Sequence, residues 1–565
     1  MRRWPGFEAS RLESYFAWGS GGTGLQDLGQ TVERRRAGRA TSRVLTGSAV
    51  AVALATLGSK FLGLLRDVVL TDRLSTGGAV SLYVLASVVP LTVFAAVMAS
   101  ISTVFIPSVA SLLQQGDHRR AEEFAANLNG AATLAVTILV VLLEIFARPF
   151  VGLLASSLRA EEPAAFATTV GMVRIMAPLI LFYTWSAVAG GVLNSYGYFG
   201  PNAAMGIPQN LVIIGAVIIG SLGFGGIRAA AWGSLIGTST TFLIQVPALR
   251  KIHFHFRWRL DLRDPLLRRA AGLMGPAMAV ALANQAALLV DRVLAFGLQP
   301  RSLITDLTWA LRLQGFAYGV LGYSVATVLY PRLAEAAVEG SDPARLREVV
   351  TRGISMVNFV TLPTMMGLFV LRRPIMAAVF QHGDFKPADT VAGAYALAFF
   401  ALGTLSFAWM DYLSRTLYAL RNTKVPMGAT FAGVAVNIGL DLLLVRPMRQ
   451  GGLALGTASA WTFSALILAW FLHRRTGVLD LRRIAGAATR MAITAAVSVG
   501  LALGVYDAFV PLAHRELVSV GVLVLAVVAA VVVYLALAFA LRIPETKFVK
   551  VLFQAVWRRV RHASA

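Results

Sequence analysis

The sequence predicts an all-α polytopic membrane protein: two six-helix lobes in parallel repeat plus a C-terminal helix pair, about 14 transmembrane helices by the apolar-run criterion. Three observations carry this. Of 565 residues, 57% are hydrophobic and only 14% charged, with a mean hydropathy of +0.69, whereas soluble domains average about 25% charged residues. Apolar stretches of about 20 residues or more recur from end to end, each long enough to satisfy its own backbone across hydrocarbon. The chain also resembles itself at a near-constant offset.

Residues 1–43 are polar, Gly-rich and Arg-rich, with Arg34-Arg35-Arg36 near their end. They read as a disordered cytoplasmic tail or an over-extended gene start. The N-lobe, 44–249, holds apolar segments at 45–70, 79–113, 125–147, 166–194, 203–222 and 227–248. A basic cytoplasmic linker, RKIHFHFRWRLDLRDPLLRR, covers 250–269. The C-lobe, 270–483, holds 270–298, 303–331, 353–371, 389–420, 426–445 and 452–472. A last pair, 485–509 and 516–541, lies in the unit 484–541, and the tail 542–565 alternates basic and apolar residues as an interfacial amphipathic helix does.

The formal charge of +23 would suggest nucleic acid in a soluble protein. Here it reads as loop asymmetry and attraction to anionic lipid, with no nucleic-acid partner. With the N-terminal tail inside, inside loops hold roughly thirty Lys/Arg and outside loops roughly ten, which places both termini in the cytoplasm. Arg372-Arg373 is the main exception. The chain has no cysteine, so disulfides, thiolate nucleophiles and Cys-based metal sites are excluded. No Walker loop, HExxH, GxSxG or zinc spacing appears, and no enzyme activity is expected.

FIPSVASLLQQGDHRRAEEF from Phe105 resembles LYPRLAEAAVEGSDPARLREVV from Leu329, with Pro107 matching Pro331. VLNSYGYFGP ending at Pro201 resembles TLYALRNTKVP ending at Pro426; Asn210 matches Asn437, and Gly225-Gly226 matches Gly451-Gly452. The offset stays at 224–227 residues. Six helices per half is an even number, so both halves enter the membrane from the same side and face each other across a central cavity.

Two polar groups stand out. GSKFLGLLRDVVLTDR, from Gly58 to Arg73, carries Lys60, Arg66 and Asp67 at membrane depth. A basic residue at a helix centre costs roughly 2.5–3.5 kcal/mol, so such charges face a bundle interior or cavity. The repeat brings Lys60 and Arg66 opposite Arg312, with Arg174 and Arg292 as further candidates. Two readings stay open: a buried ion pair, such as Arg66 with Asp67, or a site for an anionic substrate, since Arg suits bidentate phosphate binding and Lys a point charge. Most intramembrane acids, Asp306 among them, are expected to partner nearby arginines, Asp291 with Arg292 and Asp411 with Arg415; Glu144 is expected to be interfacial.

The second group is oxygen-rich. Asn437 and Asp441 lie one turn apart, Leu453 and Thr457 repeat that spacing on the next helix, and Asp291 lies in the same lobe. Hard oxygen ligands suit Na⁺ or a proton rather than a soft metal. Interhelical hydrogen bonding is the other reading.

GSKFLGLLRDVVL resembles the first-helix pattern SRxLGxxRD of the MurJ/MviN lipid II flippase family. So do GGVLNSYGYFGPNAAMGIPQN (190–210), QVPALRK (245–251), MGPAMAVALANQ (274–285), ALRLQGFAYGVLG (310–322), VFQHGDF (379–385), LYALRNTKVP (417–426) and GGLALGTASA (451–460). The resemblance runs in order from about Ser42 to Leu541 and implies the multidrug/oligosaccharidyl-lipid/polysaccharide exporter fold. It also implies movement of undecaprenyl-pyrophosphate-linked precursor, lipid II, from inner to outer leaflet of the bacterial inner membrane, with the last two helices forming a groove for the lipid tail. Membrane lipids and proteins of cell-wall synthesis are the implied partners. In the Na⁺-coupled members the ion site uses Asp, Asn, Asp and Thr, which Asp291, Asn437, Asp441 and Thr457 match. This chain departs from the pattern in having Lys60 where Arg is usual, Ser81 near the usual acid, and no charge in PLTVFAAVMAS (90–100). The alternatives are a flippase for another polyprenyl-linked glycan, a cation-coupled small-molecule exporter of the same superfold, and a non-transporting scaffold of cell-wall synthesis.

Overall fold

A computed structural model describes residues 51–546 except 75–77, 255–258, 323–324, 326–328, 331–332, 334, 338–342, 384 and 513–515. The expected tail 1–43 and the amphipathic segment beyond residue 546 lie outside the described residues. The chain divides into 1–54, of which 51–54 are described and helical, and 55–565, which holds everything below.

The described residues contain helices and no strand. In the N-lobe they form α1 (55–74), α2 (Ala79–Ser100), α3 (His118–Leu154), α4 (Pro163–Ser195), α5 (Gly200–Ser221) and α6 (Ile227–Leu243). In the C-lobe they form α7 (Pro265–Phe296), α8 (Ser302–Ala317), α9 (Pro343–Val370), α10 (Pro387–Ala419), α11 (Lys424–Met448) and α12 (Gln450–Phe471). The added pair is α13 (Leu481–Phe509) and α14 (Glu516–Ala540). Eleven of these helices are long and apolar enough to cross a membrane. α1, α6 and α8 are the other three; α6 has 17 residues and α8 has 16, with α8 continuing through a π-helical turn at Tyr318–Gly322. The second expected segment also contains a π-helical turn, Ile101–Phe105, before Ile106–Gln114.

Small residues let the helices approach closely, as they do where lipid supplies no hydrophobic drive. A Cβ at Gly237 on α6 would lie 2.7 Å from the Gln209 carbonyl of α5, and one at Gly403 on α10 would lie 2.8 Å from Ala458 on α12. Asp117, Asp264 and Asp480 cap α3, α7 and α13 by accepting the backbone N–H of Arg120, Leu266 and Arg483 at 3.0, 2.8 and 3.1 Å. All three caps lie on the face of the molecule that carries the linker.

The linker is fastened to that face. Asn127 on α3 accepts from the Asp261 N–H at 2.7 Å and donates to its carbonyl at 2.9 Å, and Arg120 pairs with Asp264 at 2.9 Å. Burial pushes the Asp264 carboxyl up, but the Leu266 N–H, Arg120 and Asn127 outweigh that and hold it below its ordinary range.

The apolar cores fix how the lobes sit. On the far face, away from the linker, one core joins residues of both lobes, including Leu70, Leu85, Met172, Phe296, Trp309, Phe380 and Phe400. On the linker face there are two cores: one around Phe105, Phe124 and Leu193 that takes in Leu267 and Ala270 at the start of α7, the other around Ile354, Tyr412 and Leu472. Apolar burial thus holds the lobes together on the far face. Polar contacts reinforce it. Arg301 pairs with Glu161 at 3.3 Å and Glu162 at 2.5 Å across the lobes. A Cβ at Gly383, where φ is +57°, would lie 2.5 Å from the Asp72 carbonyl at the end of α1.

Candidate functional site

At mid-depth, α1 and α8 enclose a cavity of about 270 Å³ lined by Lys60, Gly63, Arg66, Asp67, Arg312 and Gly315, with Leu64 and Phe316 as its apolar wall. The helical stripe of Lys60, Gly63 and Asp67 supplies one side. Asp67 is buried and shared: Arg66 donates to its Oδ1 through Nε at 3.0 Å and Nη2 at 2.8 Å, while Arg312 of the opposite lobe pairs with Oδ2. Arg312 also lies 4.9 Å over the Trp309 ring, a favourable seat for a cation. Lys60 reaches across to the π-helical turn of α8, where a Cβ at Gly319 would lie 2.8 Å from its Nζ. Three cations against one carboxylate leave the cavity net positive. The Arg66–Asp67 ion pair forms, and it is part of the cavity wall.

Sequence reasoning did not foresee the second partner of Arg66. Asn210 on α5 accepts from its Nη1 at 3.0 Å and donates to the Gly206 and Ser59 carbonyls at 2.7 and 3.3 Å. The repeat match of Asn210 with Asn437 was the signal that could have found it.

Arg174 and Arg292 do not line this cavity. Arg174 is half exposed on α4 and lies 3.9 Å from Glu144 of α3. Helical spacing fixes which residues share a face but not which face meets the other lobe, so Arg174 reads as a cavity residue only in the sequence. Arg292 feels the charges of Arg312 and Asp291 but makes no ion pair or hydrogen bond among the described residues. The expected Asp291–Arg292 pair is replaced by Thr457: adjacent helical residues project about 100° apart, and Asp291 turns inward to accept the Thr457 hydroxyl at 3.0 Å. The expected Asp411–Arg415 pair forms, at 3.1 Å.

The oxygen-rich group does assemble. Asn437 donates to Asp441 Oδ2 at 2.8 Å, Thr457 lies 3.2 Å from the Leu453 carbonyl, and the Asp291 carboxyl lies close to both Asp441 and Asn437. All five residues are buried. Asp291 Oδ1 and Asp441 Oδ1 have no hydrogen-bond partner. Gly456 makes the room, since a Cβ there would lie 2.1 Å from Asp441 Oδ1. Two buried carboxyls this close cannot both stand bare, so the set fits a cation or a proton.

The internal repeat sharpens this. Asp67 and Asp291 are 224 positions apart, and Asn210 and Asn437 are 227 apart. In the N-lobe, the space between the carboxylate and the carboxamide holds the guanidinium of Arg66. In the C-lobe, no side-chain cation among the described residues pairs with Asp291 or Asn437, and the set gains a second acid, Asp441.

The family model described as lipid II flippase MurJ matches residues 99–520. A probable lipid II flippase MurJ of Haemophilus influenzae is 30% identical over 430 residues, 73% of this chain and 83% of the relative. One of Vibrio cholerae is 28% identical over 477 residues, 82% of this chain and 90% of the relative. Among solved structures, a lipid II flippase MurJ in an inward closed conformation superimposes with a TM-score of 0.72 at 20% identity, covering 87% of this chain and 99% of that one. An inward-facing multidrug-resistance MATE transporter of the MOP superfamily gives 0.61 at 16% identity, covering 75% and 98%. The two structural likenesses establish a shared two-lobed fold, and the sequence matches establish descent: this chain belongs to the lipid II flippase MurJ family.

Proposed function

We propose that this protein carries lipid II, the polyprenyl-pyrophosphate-linked peptidoglycan precursor, from the cytoplasmic to the outer leaflet of a bacterial inner membrane by alternating access. The observation that carries the reading is the net-positive cavity of Lys60, Arg66 and Arg312 at mid-depth between two lobes joined on one face. The linker face is the cytoplasmic one, because the Lys/Arg-rich loops gather there. The diphosphate of the substrate competes with Asp67 for Arg312 and takes Lys60 as a point charge, while its lipid tail stays in the bilayer along α13 and α14. A cavity built from two lobes changes sides by rocking them, with no covalent chemistry.

The residues Asp291, Asn437, Asp441, Thr457 and the Leu453 carbonyl would hold Na⁺, which when bound supplies the charge that lets both acids stay buried. Arg66 supports this by filling the repeat-related space in the N-lobe. The carboxyls, carboxamide and hydroxyl of this chain tie α7 to α11 and α12, so their occupancy biases the C-lobe toward one arrangement. A proton on Asp441 is the second reading, favoured by the absence of any cluster of three acidic or His ligands among the described residues. Complementation of a strain depleted of its lipid II flippase tests the function: growth is expected with the intact chain, and no growth at normal expression overturns the substrate assignment.

A further inference from the structure

Asp306 is a buried acid that the site does not use. It lies on α8 with no solvent exposure, and neither carboxyl oxygen has a hydrogen-bond partner. The sequence expectation that such acids partner arginines fails here. Arg301, one turn away, is taken by Glu161 and Glu162, and Arg312 by Asp67.

Its place in the repeat argues against a packing role. Position 306 matches position 82 at the 224-residue offset, and position 82 is a buried leucine. Its neighbour Thr305 matches Ser81 at the same offset, and their hydroxyls meet at 2.9 Å. A contact between repeat-related residues lies on the axis relating the lobes. Ser81 also donates to the Arg301 carbonyl at 3.0 Å. Asp306 is therefore one residue from the point where the far-face closure crosses from lobe to lobe.

We propose that Asp306 is a proton-binding site that couples protonation to closure of the far face. With the face closed, Asp306 is fully buried beside Gly393 of α10, which packs on Met376 of Arg372–Phe380, and a bare carboxylate has no donor there. Parting Thr305 from Ser81 admits water, and the O–H ionises, its proton passing to far-side water. Closure takes a proton back from that side. Asp389 on α10 is the charged group that bears on Asp306 from the packed elements, and its Oδ2 accepts the Lys386 N–H at 2.9 Å. The other titratable groups of the closure are Asp72, paired with Arg73 at 3.1 Å, Glu161, Glu162, and His382, whose Nε2 lies 3.1 Å from the Ala378 carbonyl.

The sign follows from linkage: the closed form binds one proton more, so low pH favours closure and rising pH favours opening, by up to about tenfold in the open-to-closed ratio for each pH unit. This inference rests on the alternating-access reading. The absence of native cysteine allows a clean test on the full chain in lipid nanodiscs. Spin labels at Leu222→Cys in the N-lobe and Arg446→Cys in the C-lobe, both exposed on the far face, report the distance between lobes by pulsed electron resonance. From pH 6 to 9 the longer-distance population is expected to grow in the otherwise unaltered chain. It should stay small and constant in Asp306→Asn, and in Asp306→Leu, which restores the residue of the repeat mate. His382→Gln should leave the titration unchanged. Two distances whose ratio ignores pH, or titrates equally in Asp306→Asn, overturn the inference alone. A single distance in every sample, with or without lipid II, overturns alternating access and the inference with it.

Discussion

Gly456→Ala tests the C-lobe site without touching any charge. The added Cβ would lie 2.1 Å from Asp441 Oδ1 and 3.3 Å from Asn437 Nδ2. Ordinary C···O contact is roughly 3.3 Å, so the carboxylate must retreat by about 1.2 Å. It cannot do so freely, because Asn437 holds its other oxygen at 2.8 Å and α11 packs tightly on α12. Overpacking of this kind costs about 1–3 kcal/mol in either salt. The diagnostic quantity is the difference between salts. Na⁺ at about 100 times its dissociation constant stabilises the folded protein by about 2.7 kcal/mol. Displacing one carboxylate oxygen should remove most of that. Thermal unfolding of purified protein in Na⁺ and in K⁺ measures it, with Gly439→Ala, where an added Cβ meets open space, as the control. The control should keep the Na⁺ shift and Gly456→Ala should lose it. A full Na⁺ shift in Gly456→Ala would refute the assignment of Asp441 as an ion ligand, and equal stability of the unaltered chain in both salts would leave the proton reading.

Lys60→Arg should support growth, because the charge is kept and the open space beside Gly63 and Gly315 accepts the longer fork; loss of complementation would show that the ammonium itself is needed. The Arg120–Asp264 pair makes an acid-side prediction. Because the folded value of Asp264 is depressed, its contribution is complete above the ordinary value of 3.8 and is lost as pH falls through the depressed one. Asp264→Asn keeps the helix cap but not the ion pair, so it should be less stable than the parent at pH 6, by a gap that shrinks as pH falls below 3.8; a gap that stays constant on acidification would contradict the linkage. An inside-negative potential should speed outward movement of the anionic headgroup, by about 2.3 kcal/mol per charge per 100 mV. Leaflet accessibility of substrate after collapse of the potential, with ion gradients held, should fall; an unchanged rate would count against electrical assistance.

The architecture was legible because its signals are periodic. Apolar length marks helices, and a fixed offset marks a two-lobed repeat, so α1 to α14 appear close to where hydropathy places them. The oxygen-rich cluster was legible because i, i+4 spacing on two consecutive helices brings Asn437, Asp441, Leu453 and Thr457 onto facing sides. What stayed hidden depends on how helices rotate against each other. Arg174 and Arg312 look alike in sequence, yet one meets Glu144 near the protein surface and the other crosses to Asp67. The Arg301 clasp on Glu161 and Glu162 joins residues 140 and 139 positions apart, with no local pattern to announce it. Asp306 was visible only as one more acid, until its partnerless burial set it apart from the others.

In the proposed function, a cationic cavity between the lobes carries a lipid-linked pyrophosphate across the bilayer. Leaflet accessibility of lipid II in proteoliposomes, measured for the unaltered chain and for Arg312→Ala, tests it most directly. Among the described residues, Arg312 is the cavity cation contributed by the C-lobe, and it bridges to Asp67 on α1. Transfer of lipid II to the opposite leaflet is expected with the unaltered chain and transfer at the protein-free rate with Arg312→Ala, with Na⁺-dependent stability retained in both. Equal transfer by the two proteins would contradict it.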